Sequence, residues 1–125
     1  MCGLSRFLLV LAGVFGASGV ALAAAAVHVT SDPTLMTAAY FLLFHAAALT
    51  GLCAASQHLA RGRTLILAGG LIIAAGTLLF SGDLASRVLL DMRLPGGPAP
   101  YGGMAMIVGW LIAGAAGFVA TPAQD

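Results

Sequence analysis

Thr34 to Ala60, TLMTAAYFLLFHAAALTGLCAASQHLA, contains no formally charged residue. A helix crossing a hydrocarbon core about 30 Å thick needs roughly 20 mostly apolar residues, so this stretch is long enough to span a membrane. Working outward, three more uncharged stretches meet the same length: Phe7 to Val29, Thr64 to Gly82, and Leu94 to Gln124, the last continuously apolar after Tyr101. Between them lie Thr30-Ser31-Asp32-Pro33, then Arg61-Gly62-Arg63, then a polar, Pro/Gly-rich stretch from Asp83 to Pro100. Pro33 fits the first turn of a helix, where a missing N–H costs nothing, whereas Pro95, Pro98 and Pro100 with Gly96 and Gly97 are expected to form a loop. The reading is an all-α fold: a four-transmembrane-helix bundle with spans near 7–29, 34–60, 64–82 and 101–121, forming one integral membrane domain without internal repeats.

Composition agrees. Of 125 residues 61% are apolar and only 7% charged, with a mean hydropathy of +1.06; a soluble domain is about half apolar and a quarter charged. Lys and Glu do not occur, and Arg6, Arg61, Arg63, Arg87 and Arg93 stand against Asp32, Asp83, Asp91 and Asp125 for a net charge of +1. So few basic groups cannot hold a phosphate backbone, and nucleic acid is excluded as a partner. The partner that composition does require is the lipid bilayer. Lys/Arg-rich short loops stay in the cytoplasm. Four spans put Arg6, Arg61 and Arg63 on one side, with both termini, and His58 near the same surface. The expectation is N-in, C-in in the plasma (inner) membrane.

The first segment has a second reading. Arg6, an apolar run and Ala21 to Ala26 also fit a secretory signal. Gly13, Gly16 and Ala17 interrupt the run as in a packed span, and it continues to Val29, so a retained span is the reading adopted. Cys2 and Cys53 are too far apart in the sequence to suggest a metal pair or a disulfide and read as small apolar fillers. No cofactor and no metal is expected.

In lipid, helices gain nothing hydrophobic by touching, and close backbone approach between small residues supplies the attraction. Spacings of four recur at Ala12/Gly16, Gly13/Ala17 and Gly70/Ala74. The triplets Ala47/Gly51/Ala55 and Gly109/Ala113/Gly117 are the faces expected to pack most tightly. Intramembrane polar groups are the other candidates, because each is costly without a partner. His45 stands about 18 Å along its helix from Pro33, near mid-bilayer. It reads either as a proton relay or haem or metal ligand, or, as favoured here, as a neutral histidine bonded to a neighbouring helix. His28 lies at the outer end of span one, where an interfacial histidine needs no special role. Ser81, Gly82 and Asp83 with Arg87 and Asp91 place three charges four apart, which would balance a helix end entering the interface. Tyr101 is expected in the aromatic belt and Trp110 deep in the bundle, its indole N–H seeking an acceptor.

Several pieces resemble a known family: Phe15 to Leu22 leading to His28, then Phe44-His45-Ala46, then Gly76 to Gly82, then Pro100-Tyr101-Gly102-Gly103 and Gly109-Trp110. In order, they are similar to the small bacterial inner-membrane proteins, with mitochondrial relatives, catalogued as domain of unknown function four-two-three. The resemblance implies four spans, an uncleaved first segment and no assigned activity. The family pattern differs at Ala23 to His28, at Phe41-Leu42, where it has Tyr-Gln, and at Asp83, where it has a neutral residue.

Three function classes fit such a chain. A non-enzymatic membrane component acting by helix contacts, with itself or another membrane protein, needs only the small-residue faces and is preferred. A small-solute or ion transporter comes second, although the first span lacks the acidic residue of four-helix exporters. A haem or metal carrier would need paired histidines on facing helices. Hydrolase chemistry finds no Ser, His and acid at spacings a helical bundle would unite.

Overall fold

The computed structural model describes residues 1–123; Gln124 and Asp125, the end of the fourth uncharged stretch and one of the nine charges, lie outside the described residues. Helix α1 spans Gly3–Ala25 and tightens no further but widens into a π-helical turn at Ala26–Thr30. Helix α2 is Pro33–Gln57, α3 is Arg63–Leu89, and α4 is Ala99–Ala115, followed by a 3-10 turn at Ala116–Phe118. Among the described residues these make four helices long and apolar enough to cross a membrane. The chain is a four-transmembrane-helix bundle.

Local chemistry sets the helix ends. Ser31 turns left-handed at φ 53°, which stops the first span. The Asp32 carboxylate then accepts from the Thr34 N–H at 2.7 Å, with Pro33 at the first helical position. Gly62, at φ 85°, makes the reversal into α3. Beside it, β1 (Leu59–Arg61) pairs antiparallel with β2 (Thr121–Pro122), and the Ala123 N–H donates to the His58 carbonyl at 2.9 Å. The segment after α4 is thereby tied to the α2–α3 turn, at the membrane face that carries Arg61 and Arg63.

The expected loop from Asp83 to Pro100 is shorter than its composition suggested. Helix α3 continues to Leu89, and Pro98 and Pro100 sit at the cap and in the first turn of α4, where a ring without an N–H is tolerated. Two facts account for the extension. The 27 residues of α3 reach about 40 Å, beyond a 30 Å core. Asp83 and Arg87, one turn apart, neutralise each other where the helix leaves the hydrocarbon. Asp91 does not join them, because the helix has ended and its backbone is left-handed at φ 48°.

Each helix packs chiefly on its neighbour in sequence, and α1 also touches α3. The core joins Leu8, Ala12 and Phe15 of α1 to Leu42, Leu49 and Cys53 of α2 and Leu67, Ile73 and Ala74 of α3. Helix α4 rests on α3. Along that seam a Cβ added at Gly76 would lie 2.6 Å from the Gly102 carbonyl, and one at Gly102 2.6 Å from the Gly76 carbonyl. Gly69 and Gly109 face each other in the same way, at 2.6 and 2.8 Å. The two pairs are seven residues apart on each helix, as one antiparallel register requires.

The two triplets expected to pack fare differently. Gly109 and Ala113 are buried against α3, but Gly117 is exposed beyond the helix. Ala47, Gly51 and Ala55 all face outward, and an added Cβ at Gly51 meets nothing within 4 Å. The reason lies in the side of α2 that carries bulk. Leu42, Leu49 and Cys53 point at α1 and α3, and the small stripe lies around the helix from them.

Candidate functional site

Apart from Thr77 of α3, whose hydroxyl donates to the Ile73 carbonyl and reaches Met106 Sδ, the buried polar side chains of the described residues sort into three places. At mid-depth, His45 of α2 is buried and meets Trp110 of α4. His45 Nδ1 lies 2.8 Å from the Phe41 carbonyl, which can only accept, so Nδ1 carries the proton. The Trp110 indole N–H, which can only donate, lies 3.3 Å from His45 Nε2, so Nε2 is the acceptor. The pair therefore fixes a neutral imidazole in one tautomer, bonded to a neighbouring helix. Phe41 stacks on the His45 ring at 5.8 Å and leans on Phe80 of α3 at 4.4 Å. Trp110 is not deep in the bundle: 46% of its surface is exposed, while its indole N–H reaches inward to His45.

His28 stands apart from this pair. It is exposed on the π-helical turn that follows α1, whereas His45 is buried against α4, so the two histidines do not face one another.

Toward the C-terminal end of α3, Ser81 and Asp83 are both buried. The Ser81 hydroxyl donates to the Ala38 carbonyl at 3.0 Å and ties α3 to α2. Asp83 pairs with Arg87 and accepts the Ala99 N–H at 3.2 Å. Ala99 opens α4, which has no side-chain cap of its own, so this carboxylate from α3 supplies the negative charge that a helix amino terminus favours. Among the described residues Asp83 Oδ1 and Arg87 Nε have no partner, which makes the contact a single bridge rather than a two-bonded fork.

A third cluster escaped the sequence reading. Ser5 and Ser56 are fully buried at the opposite end, where Gln57 Nε2 donates to both hydroxyls at 3.1 Å and the Cys53 thiol donates to the Ser5 carbonyl at 3.4 Å. Its signal was weak, since Ser, Cys and Gln at a helix end are individually unremarkable. Just outside the span, backbone hydrogen bonding at Ser5 holds the Cys2 thiol below its ordinary pKa.

Between α2 and α4 runs a groove of about 410 Å³, floored by Phe80 and walled by Phe41, His45, Gly103, Met106 and Trp110. Gly109 lies behind it in the α3–α4 seam, where its backbone rather than any side chain is used.

With this geometry established, comparison with known proteins places the chain. A family model described as Protein of unknown function (DUF423) matches residues 12–103. The chain belongs to this family. The DUF423 match takes in His45, Ser81, Asp83 and three of the four seam glycines, and ends before Gly109 and Trp110. The UPF0382 inner membrane protein YgdD of Escherichia coli (strain K12) is 33% identical over 115 residues, covering 86% of each chain. Proteins of the same name from Escherichia coli O157:H7 and Shigella flexneri are similar to the same extent. No solved structure matches significantly. The family resemblance expected from Leu79-Phe80-Ser81-Gly82 and Pro100 to Gly103 is thus established, while membership brings no assigned activity with it.

Proposed function

We propose that this DUF423 protein is a non-enzymatic component of the inner membrane that acts through helix contacts, its first partner being a second copy of itself. The observation that carries the reading is the outward stripe Ala47/Gly51/Ala55 on α2, which no helix of the same chain uses. Turned toward lipid, such a stripe gains nothing. Against an identical stripe it permits close backbone approach, and a two-fold axis makes it complementary to itself. A non-enzymatic role is supported by the mid-membrane polar pair, because His45 and Trp110 occupy one another and leave no free acid or base there. The proposed orientation has both ends of the chain in the cytoplasm, by the bias of Arg6, Arg61 and Arg63. A phosphatase reporter joined after Ala123 should then stay inactive, and an active fusion would reverse the assignment.

Gly51 offers a clean test, since the space around it is open within the chain. Gly51→Leu is expected to leave the fold and its thermal midpoint in place while shifting the protein from dimer to monomer in mild detergent. A wild-type chain that is monomeric at all detergent ratios contradicts the proposal.

A further inference from the structure

Helix α4 is drawn onto α3 by the facing glycines and stands away from α2, so the space between α2 and α4 opens sideways in the plane of the membrane. Its volume, about 410 Å³, falls within the roughly 300–1,000 Å³ of small-molecule sites. Gly103 lies one turn into α4 from Ala99, and Trp110 about 16 Å from that end at 1.5 Å per residue. Half of a 30 Å core is about 15 Å. From Gly103 to Trp110 the groove therefore runs about 10 Å, beginning about 6 Å below the start of α4 and ending near the bilayer midplane, within one leaflet.

The chemistry of the lining selects the occupant. Its polar side chains are His45 and Trp110, and both are already satisfied: Nδ1 by the Phe41 carbonyl, and Nε2 by the indole N–H. An ion, a sugar or a carbonyl-bearing ring entering here would give up its hydrogen bonds to water for none in return, a cost of several kcal/mol. An alkyl chain gives up nothing. Phe41, Phe80 and Met106 offer it only carbon and sulfur surface.

We infer that the groove between α2 and α4 is a seat for one acyl chain of a membrane phospholipid, running from Gly103 to the His45–Trp110 pair. The pair closes its inner end and sets the depth to which the chain descends. The seat is independent of the proposed self-association, because Ala47 lies about 200° around α2 from His45 at 100° per residue.

Gly103 supplies the test. A Cβ there meets only Phe80 Cδ2, at 4.0 Å, so a larger side chain grows into the groove without entering the α3–α4 seam. Native mass spectrometry of the full chain, released from mild detergent, is expected to show one retained phospholipid on the wild type and on Gly103→Ala. Gly103→Leu should lose it. Helical circular dichroism checks the fold of each variant; should Gly103→Leu fail to fold, Ile107→Trp decides in the same way, at a position that lines the same groove yet is 63% exposed. A wild type without bound phospholipid, or a filled variant that retains as much as the wild type, overturns the seat. So does a second copy of the chain bound in place of the lipid.

Discussion

Gly102→Val is expected to pull α4 away from α3 and to cost about 3 kcal/mol, the upper part of the range for overpacked sites. Any side chain at Gly102 begins with a Cβ 2.6 Å from both the Gly76 carbonyl and the Phe80 nitrogen, and these are backbone atoms that cannot swing aside. The next residue is the internal control. Gly103→Ala meets only a ring carbon at 4.0 Å and gains the helix propensity that glycine lacks, about 1 kcal/mol, so it should be neutral or stabilising. Unfolding in mixed micelles, followed by fluorescence of the single Trp110, reads both. Trp110 rides on α4 and holds His45 of α2, so separation of α4 exposes it directly. Equal stability of Gly102→Val and wild type would contradict the seam.

Asp83→Ala is the second large effect, expected to lower the thermal midpoint by roughly 5 °C or more. The substitution strips the partner from Arg87 and the acceptor from the Ala99 N–H, and removes the carboxylate placed at the start of α4. Much of the loss is the penalty of the stranded guanidinium. Adding Arg87→Ala should therefore restore part of the midpoint, a non-additivity that two independent sites would not show. Asp83→Asn keeps an acceptor for Ala99 and should fall between the two. An unchanged midpoint in Asp83→Ala would mean that the C-terminal end of α3 does not hold α4 in place.

The four spans were legible because charges are nearly absent from them and present between them, and Pro33 marked a helix start correctly. The end of α3 was legible in part: the spacing of four pointed to the Asp83–Arg87 pair at a helix end, but the Pro and Gly residues that follow hid how far the helix runs, and Asp91 falls beyond it. The packing faces were half legible. A search for small residues four apart found Gly109 and Ala113 but also favoured Ala47/Gly51/Ala55, which faces outward. What sets the α3–α4 contact is a spacing of seven, Gly69/Gly76 against Gly102/Gly109, and that pattern is the one to look for in antiparallel helices kept in register. His45 and Trp110 were each recognisable as groups in need of a partner. That they satisfy one another across 65 residues of sequence depends on how α2 and α4 flank α3, which no local pattern encodes.

The most direct test of self-association is cysteine cross-linking in intact membranes. Gly51→Cys, in a chain whose Cys2 and Cys53 are replaced by Ser and Ala, should form a disulfide-linked dimer on mild oxidation, with Gly114→Cys, an outward position on α4, as the control that does not. Efficient linkage at Gly51 and none at Gly114 is the predicted result; no linkage at Gly51, or equal linkage at both, would contradict a specific contact between copies across α2.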